Sequence, residues 1–128
     1  MTNAADAVLT AKYVLLTTFK RDGTAVPTAV WAVADGDDAV LIWTSRKTGK
    51  VTRIRRSGRV TTAPCTMSGR ATGPAIEGVA ELLDAEGTLR AQQAIVRKYG
   101  LVGRMIVGRA VRRAGQDALV GIRVVLTS

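Results

Sequence analysis

Hydroxyls, a glycine and cations fall together in the run Trp43-Thr44-Ser45-Arg46-Lys47-Thr48-Gly49-Lys50-Val51-Thr52-Arg53. The run opens as an apolar strand and passes into a basic segment, Ser45 to Ser57, in which Val51 and Ile54 stand three apart. That spacing predicts a short surface helix with one narrow buried stripe. The hydroxyls therefore stand where free backbone N–H groups and the helix dipole attract an anion, and a phosphate is the natural occupant. Lys50 adds a point charge, and Arg53, one turn further on, adds a planar fork of donors. The glycine spacing of a Walker loop is missing. The same residue types also suit an ordinary solvated surface helix capped by Thr48 or Ser45.

Other chemistry is narrowed by what the chain lacks. It has no histidine and one cysteine, Cys65. Ser-His-Asp and Cys-His nucleophile systems, the imidazole general base and histidine metal sites are thus excluded, as are an internal disulfide and a thiolate cluster. No metal site and no protein nucleophile is expected. Cys65 follows Pro64 in a strand-like run and reads as a packed apolar residue. Glu77 and Glu81 share a strand face and read as solvated. Trp31 and Trp43 suit either stacking on a ring system or filling the core.

The 19 basic and 10 acidic residues give a net charge of +9. Ser45 to Arg59 carries seven basic residues and no acid, and Gly87 to Gln116 carries seven more, again with none. A field of this kind steers phosphates or acidic tails, although net charge also serves solubility. A basic barrel that binds nucleic acid is one reading, but five aromatic residues leave little for base stacking.

The elements that must position these groups follow from alternation and turns. With 128 residues, the chain is expected to form one domain over 1–128. Strands are predicted at Tyr13–Phe19, Thr24–Ala34, Ala39–Thr44, Arg59–Cys65, Gly73–Leu83 and Asp117–Thr127. Pro27 belongs near a strand start, at a bulge or on a sheet edge. A helix is expected over Asp84 to Tyr99 with Gly100 as its stop, and Leu101 to Gly115, with three glycines, is ambiguous. No charge-free run approaches the ~20 residues of a membrane span. The first ten residues lack the features of a secretory signal, so a cytoplasmic location is expected. Six mostly antiparallel strands with short helices suggest a mainly β, small closed or split barrel, and its thin core favours a symmetric homodimer.

The order of segments from Tyr13-Val14-Leu15-Leu16-Thr17-Thr18-Phe19 through Asp22-Gly23-Thr24, Pro27-Thr28-Ala29-Val30-Trp31, Trp43-Thr44, Thr48-Gly49-Lys50-Val51, Ala63-Pro64-Cys65 and Lys98-Tyr99-Gly100 resembles a known family. It is similar to the pyridoxamine 5′-phosphate oxidase-like, FMN-binding split-barrel proteins, and within them to the actinobacterial deazaflavin (coenzyme F420)-dependent oxidoreductases. The resemblance implies a six-stranded split barrel that dimerises, with cofactor sites at the subunit interface. Carried over by position, Pro27, Thr28, Ala29, Val30 and Trp31 would line the tricyclic ring, and Thr44, Thr48, Gly49 and Lys50 would face the cofactor phosphate. Arg53 and Arg56 would reach the acidic tail of F420, and Thr72 of the partner subunit would complete the wall. Ser57-Gly58-Arg59-Val60 stands where relatives usually carry Asn-Pro-Arg-Val, so the helix exit departs from the pattern.

The activity implied is hydride transfer between F420 and a small unsaturated or conjugated molecule. The cofactor itself performs that chemistry, which is compatible with a chain lacking histidine. Members of the family also bind FMN, haem or biliverdin, so FMN is the alternative cofactor and a tetrapyrrole carrier an alternative role.

Overall fold

A computed structural model describes residues 4–127. The elements in chain order are helix α1 (Ala4–Thr10), strands β1 (Tyr13–Phe19), β2 (Ala25–Val30), β3 (Val33–Ala34) and β4 (Ala39–Ser45), helix α2 (Gly49–Arg56), strands β5 (Arg59–Cys65) and β6 (Ile76–Leu82), helix α3 (Ala85–Ala114), and strand β7 (Leu119–Leu126). A 3-10 turn at Gln116–Ala118 leads into β7.

The seven strands form one sheet in the order β2-β1-β5-β6-β7-β4-β3, with every pairing antiparallel. Its two edge strands, β2 and β3, are consecutive in the chain and separated only by Trp31 and Ala32. Two opposite edges can be joined by so short a link only if the sheet curls until they meet. The result is a curled half-barrel whose seam is closed covalently rather than by a hydrogen-bond ladder.

Alternation along the strands fills the inside. Val14, Leu16 and Thr18 of β1, Val40 and Ile42 of β4, and Ile122 and Val124 of β7 are all buried. Val60, Ile76, Ala80 and Leu126 join them, Ile54 of α2 and Val8 of α1 pack onto the same cluster, and Ala32 enters it from the seam. Each fully buried Leu, Ile or Val contributes roughly 1.5–3 kcal/mol relative to exposure, which makes this cluster the main source of stability.

Helix α3 lies against the outer side of the sheet. At Gly121 of β7, a Cβ would meet Leu83 at 3.0 Å and Ala91 and Thr88 at 3.1 Å, so the missing side chain lets the helix approach closely. The Thr88 hydroxyl accepts the Gly121 N–H at 2.9 Å. Asp84 caps the start of α3 by accepting from the Gly87 N–H at 2.8 Å.

Several expected boundaries differ. The run Thr24–Ala34 is two strands, which raises the count from six to seven. At the break, the Ala32 N–H donates to the Tyr99 hydroxyl at 3.1 Å and the Ala32 carbonyl accepts from Lys98 Nζ at 2.6 Å, so its backbone is satisfied by α3 rather than by a neighbouring strand. Gly73–Leu83 narrows to Ile76–Leu82, Asp117–Thr127 to Leu119–Leu126, and the helix within Ser45 to Ser57 to Gly49–Arg56, because Ser45 completes β4. The ambiguous segment after Gly100 is helical. Gly100 interrupts α3 with φ 64° and ψ −139°, so the expected stop is present, but a second helical stretch follows it. Helix α1 was not expected. Pro27 lies on an edge strand, one of its expected places, and Cys65 is buried. Among the described residues no helix is long and apolar enough to cross a membrane.

Candidate functional site

A cavity of about 290 Å³ opens where β2 reaches the seam. Thr28, Ala29, Val30 and Trp31 form one wall, and Trp43 and Thr44 of β4 another; Lys50 enters from the first turn of α2, and Ile95, Ile106 and Val107 of α3 close the remaining side. Of the residues singled out from sequence, Thr28, Ala29, Val30, Trp31, Thr44 and Lys50 thus meet around one space.

Lys50 is the cation of this cavity. It is half-buried and has no hydrogen-bond or ion-pair partner among the described residues. Burial, and then the neighbouring Arg53 charge, lowers its pKa below the usual lysine value. A cation held away from water without a counter-ion favours an incoming anion, whose charge replaces the solvation that folding removed. The start of α2 adds to this. Thr48 occupies the N-cap position without a side-chain cap hydrogen bond, because its hydroxyl donates to the Ser45 carbonyl at 3.0 Å. The expected capping by Thr48 or Ser45 therefore does not occur: the Ser45 hydroxyl accepts from the Lys47 N–H at 3.3 Å.

The other expected residues stand outside the cavity lining. Gly49 sits under the Arg53 guanidinium, where a Cβ would fall 2.6 Å from Nη1. Arg53 Nε donates to the Thr18 hydroxyl at 2.6 Å, and Arg56 donates to the Phe19 carbonyl. Both arginines thereby tie α2 to β1, with the Arg53 charge held at the helix start beside Lys50. Pro27 is exposed on β2, and Thr72 is exposed beyond β5, where its N–H donates to the Pro64 carbonyl at 2.8 Å.

Lys98 and Tyr99, to which the sequence analysis gave no role in the site, brace the cavity wall. Trp31 and Tyr99 stack with centroids 4.2 Å apart and ring planes 8° from parallel. The Tyr99 hydroxyl donates to the Lys12 carbonyl at 2.6 Å, and Lys98 Nζ donates to the carbonyls of Ala11 and Ala32. Two adjacent side chains of α3 thus pin both the seam and the entry to β1. Burial lowers the Lys98 pKa and raises that of Tyr99. Trp43 stands opposite Gly121 in the β4–β7 pairing, and its indole N–H is buried without an acceptor. Ile95, Ile106 and Val107 carried no signal beyond being apolar.

The sequence matches no protein-family model and no curated protein. Solved structures do resemble it. The conserved hypothetical protein Rv2991 from Mycobacterium tuberculosis superposes with a TM-score of 0.72 at 24% identity, over 100% of this chain and 82% of that one. An F420 reductase gives 0.63 at 18% identity, over 100% and 97%. The heme storage protein HutZ from Vibrio cholerae gives 0.69 at 11% identity, over 96% and 87%. A putative pyridoxamine 5′-phosphate oxidase from Listeria innocua gives 0.66 at 16% identity, over 95% and 89%, and the curled half-barrel is the fold that this chain shares with these structures.

Proposed function

We propose that this chain is a deazaflavin-dependent oxidoreductase that uses coenzyme F420 to reduce a small unsaturated or conjugated molecule. The observation that carries this reading is Lys50, a half-buried cation without a counter-ion, set in a cavity walled by Thr28 to Trp31 and Trp43. The apolar walls fit a flat ring, and Lys50 with the uncapped first turn of α2 fits an anionic group attached to it. The F420 reductase among the similar structures supports the choice of cofactor.

In this reading, backbone and side chains from Thr28 to Trp31 orient the ring, Thr44, Thr48, Gly49 and Lys50 receive the phosphate, and Arg53 and Arg56 provide positive potential for an acidic tail. Bound F420 would supply the hydride. The protein's part is to position the reactants and exclude water, and neither task needs a nucleophilic side chain.

The site is completed by a second copy. At about 290 Å³ the cavity is small for a cofactor pocket. Beside it, Leu101, Val102, Met105 and Ile106 of α3 are at least half exposed. An apolar patch next to an unfinished cavity fits a homodimer whose partner closes the cleft and brings Thr72 of the partner subunit toward it.

Titration of the purified protein with F420, FMN and haem, followed by absorbance and fluorescence, tests this reading. F420 should bind, and added salt should weaken it more than FMN, because only F420 carries an extended anionic tail. Tight FMN binding with none for F420 at low salt would replace the deazaflavin reading with a flavin one. Haem binding alone would indicate a tetrapyrrole carrier, and binding of duplex DNA alone, with steep salt dependence, a nucleic-acid-binding barrel. Light scattering should give the mass of a dimer.

A further inference from the structure

A second and larger cavity, of about 630 Å³, lies between the N-terminal stretch of α3 and the β3–β4 end of the sheet, and none of its lining residues belongs to the site described above. Arg90 and Arg97 line it from the helix, Arg123 and Asp35 from the sheet, and Leu41 and Leu83 give it apolar surface. Arg90 and Arg97 are seven residues apart, so they share one helix face about 10 Å apart along the axis. Arg123 is already engaged, its Nε donating to Asp35 Oδ2 at 2.9 Å, and Asp38 and Glu81 also act on its charge. Arg90 and Arg97 differ: among the described residues neither has a hydrogen-bond or ion-pair partner. They belong to the acid-free basic tract that the proposed cofactor site leaves without a role.

We propose that this cavity is a second binding site, for an elongated organic dianion whose two anionic ends meet Arg90 and Arg97 and whose apolar body lies toward Leu41 and Leu83. Two unengaged planar forks two helical turns apart recognise two separated carboxylate or phosphate groups better than one. Apolar surface in the same cavity selects a hydrocarbon or aromatic spacer over a fully polar one. The volume is well within the range of small-molecule sites. This assignment is independent of the deazaflavin reading, since the two cavities share no residue.

Biphenyl-4,4′-dicarboxylate, with a carboxylate at each end of a rigid apolar body, is a direct probe, and biphenyl-4-carboxylate is its single-charge control. Titration into ¹⁵N-labelled protein should move amide signals of residues 33–35 and 87–97 saturably while leaving those of Thr44 to Lys50 in place. The dicarboxylate should bind about tenfold or more tightly than the monocarboxylate, and Arg90→Gln or Arg97→Gln should each remove about that factor. Both arginines are exposed, so these variants should keep the wild-type spectrum elsewhere. Absence of saturable binding, equal affinity for the two probes, unchanged affinity in both variants, or shifts centred on Lys50 would each overturn the proposal.

Discussion

Tyr99 holds Trp31 in a near-parallel stack, centroids 4.2 Å apart, while its hydroxyl accepts the N–H of the next residue, Ala32. One side chain of α3 therefore fixes both the ring that walls the cavity and the backbone that breaks the strand. Tyr99→Phe keeps the stack and leaves the Ala32 N–H without its acceptor, at a cost of about 1–3 kcal/mol. Thermal unfolding should show a fall of about 3–10 °C. Tyr99→Leu should fall further, because it also loses a stack worth about 0.5–1.5 kcal/mol. A Phe variant as stable as wild type would show that the hydroxyl does not hold the seam.

Lys50→Met should trade binding for stability. F420 affinity should fall about ten- to a hundredfold, the effect of losing one charge-assisted contact. Because burial and then Arg53 lower the folded-state pKa of Lys50 from the usual 10.5, the unfolded chain binds its proton more tightly. The destabilising effect of Lys50 is thus fully present below the lowered value and fades as pH rises toward 10.5. Urea midpoints of the two proteins should show the Met variant ahead at neutral pH and the gap closing in the alkaline range. A gap independent of pH would contradict the lowered pKa.

Gly100 and Gly108 should respond in opposite directions to alanine. A Cβ at either position meets no atom within 4 Å, so crowding does not distinguish them. Gly100 has φ 64° and ψ −139°, a conformation that disfavours any side chain, and Gly100→Ala should destabilise by about 1–3 kcal/mol. Gly108 lies within the helix, where Ala is the better residue by roughly 0.5–1 kcal/mol. Denaturant unfolding of both variants checks the two signs together.

Cys65 should be inert. Burial raises its thiol pKa, so little thiolate exists at neutral pH and few collisions reach it. Iodoacetamide should modify it at least tenfold more slowly in the native protein than in urea. Cys65→Ala should leave turnover of reduced F420 nearly intact, and loss of turnover in a folded variant would implicate a protein side chain in the chemistry.

The strands were legible wherever one face is buried and the other is not, as in Ile76–Leu82 with its alternating Gly78, Ala80 and Glu77, Glu81. The seam was not legible, because Val30, Trp31, Ala32 and Val33 form an unbroken apolar run and the groups that interrupt it, Lys98 and Tyr99, are more than sixty residues away. The stretch 101–114 was obscured for a different reason. Gly103 and Gly108 lower its helix propensity, and its Leu101, Val102, Met105 and Ile106 are exposed rather than aligned on a buried stripe. For the cavity, the resemblance placed Lys50 and Thr28 to Trp31 together, but Ile95, Ile106 and Val107 reach it only through the packing of α3. The seven basic residues from Gly87 to Gln116 were visible as a charge excess; which of them face one cavity depends on helical phase and on Arg123 across the sheet.

The place of β7 in the sheet has a consequence for how the molecule is made. This strand pairs with β6 on one side and β4 on the other, yet of the seven strands of this sheet it is the last in chain order. Until residues 119–126 leave the ribosome, the nascent chain can assemble β2-β1-β5-β6 and β4-β3 only as two separate ribbons, with β6 and β4 bare along the edges that β7 will fill. The core cannot close before β7 has emerged, and folding waits for the long-range pairing of that strand, the slow kind of step. In that interval two unpaired edges and their apolar faces are open to other chains. A protein lacking β7 would remain in that condition and is expected to aggregate during synthesis rather than persist as a loosened barrel.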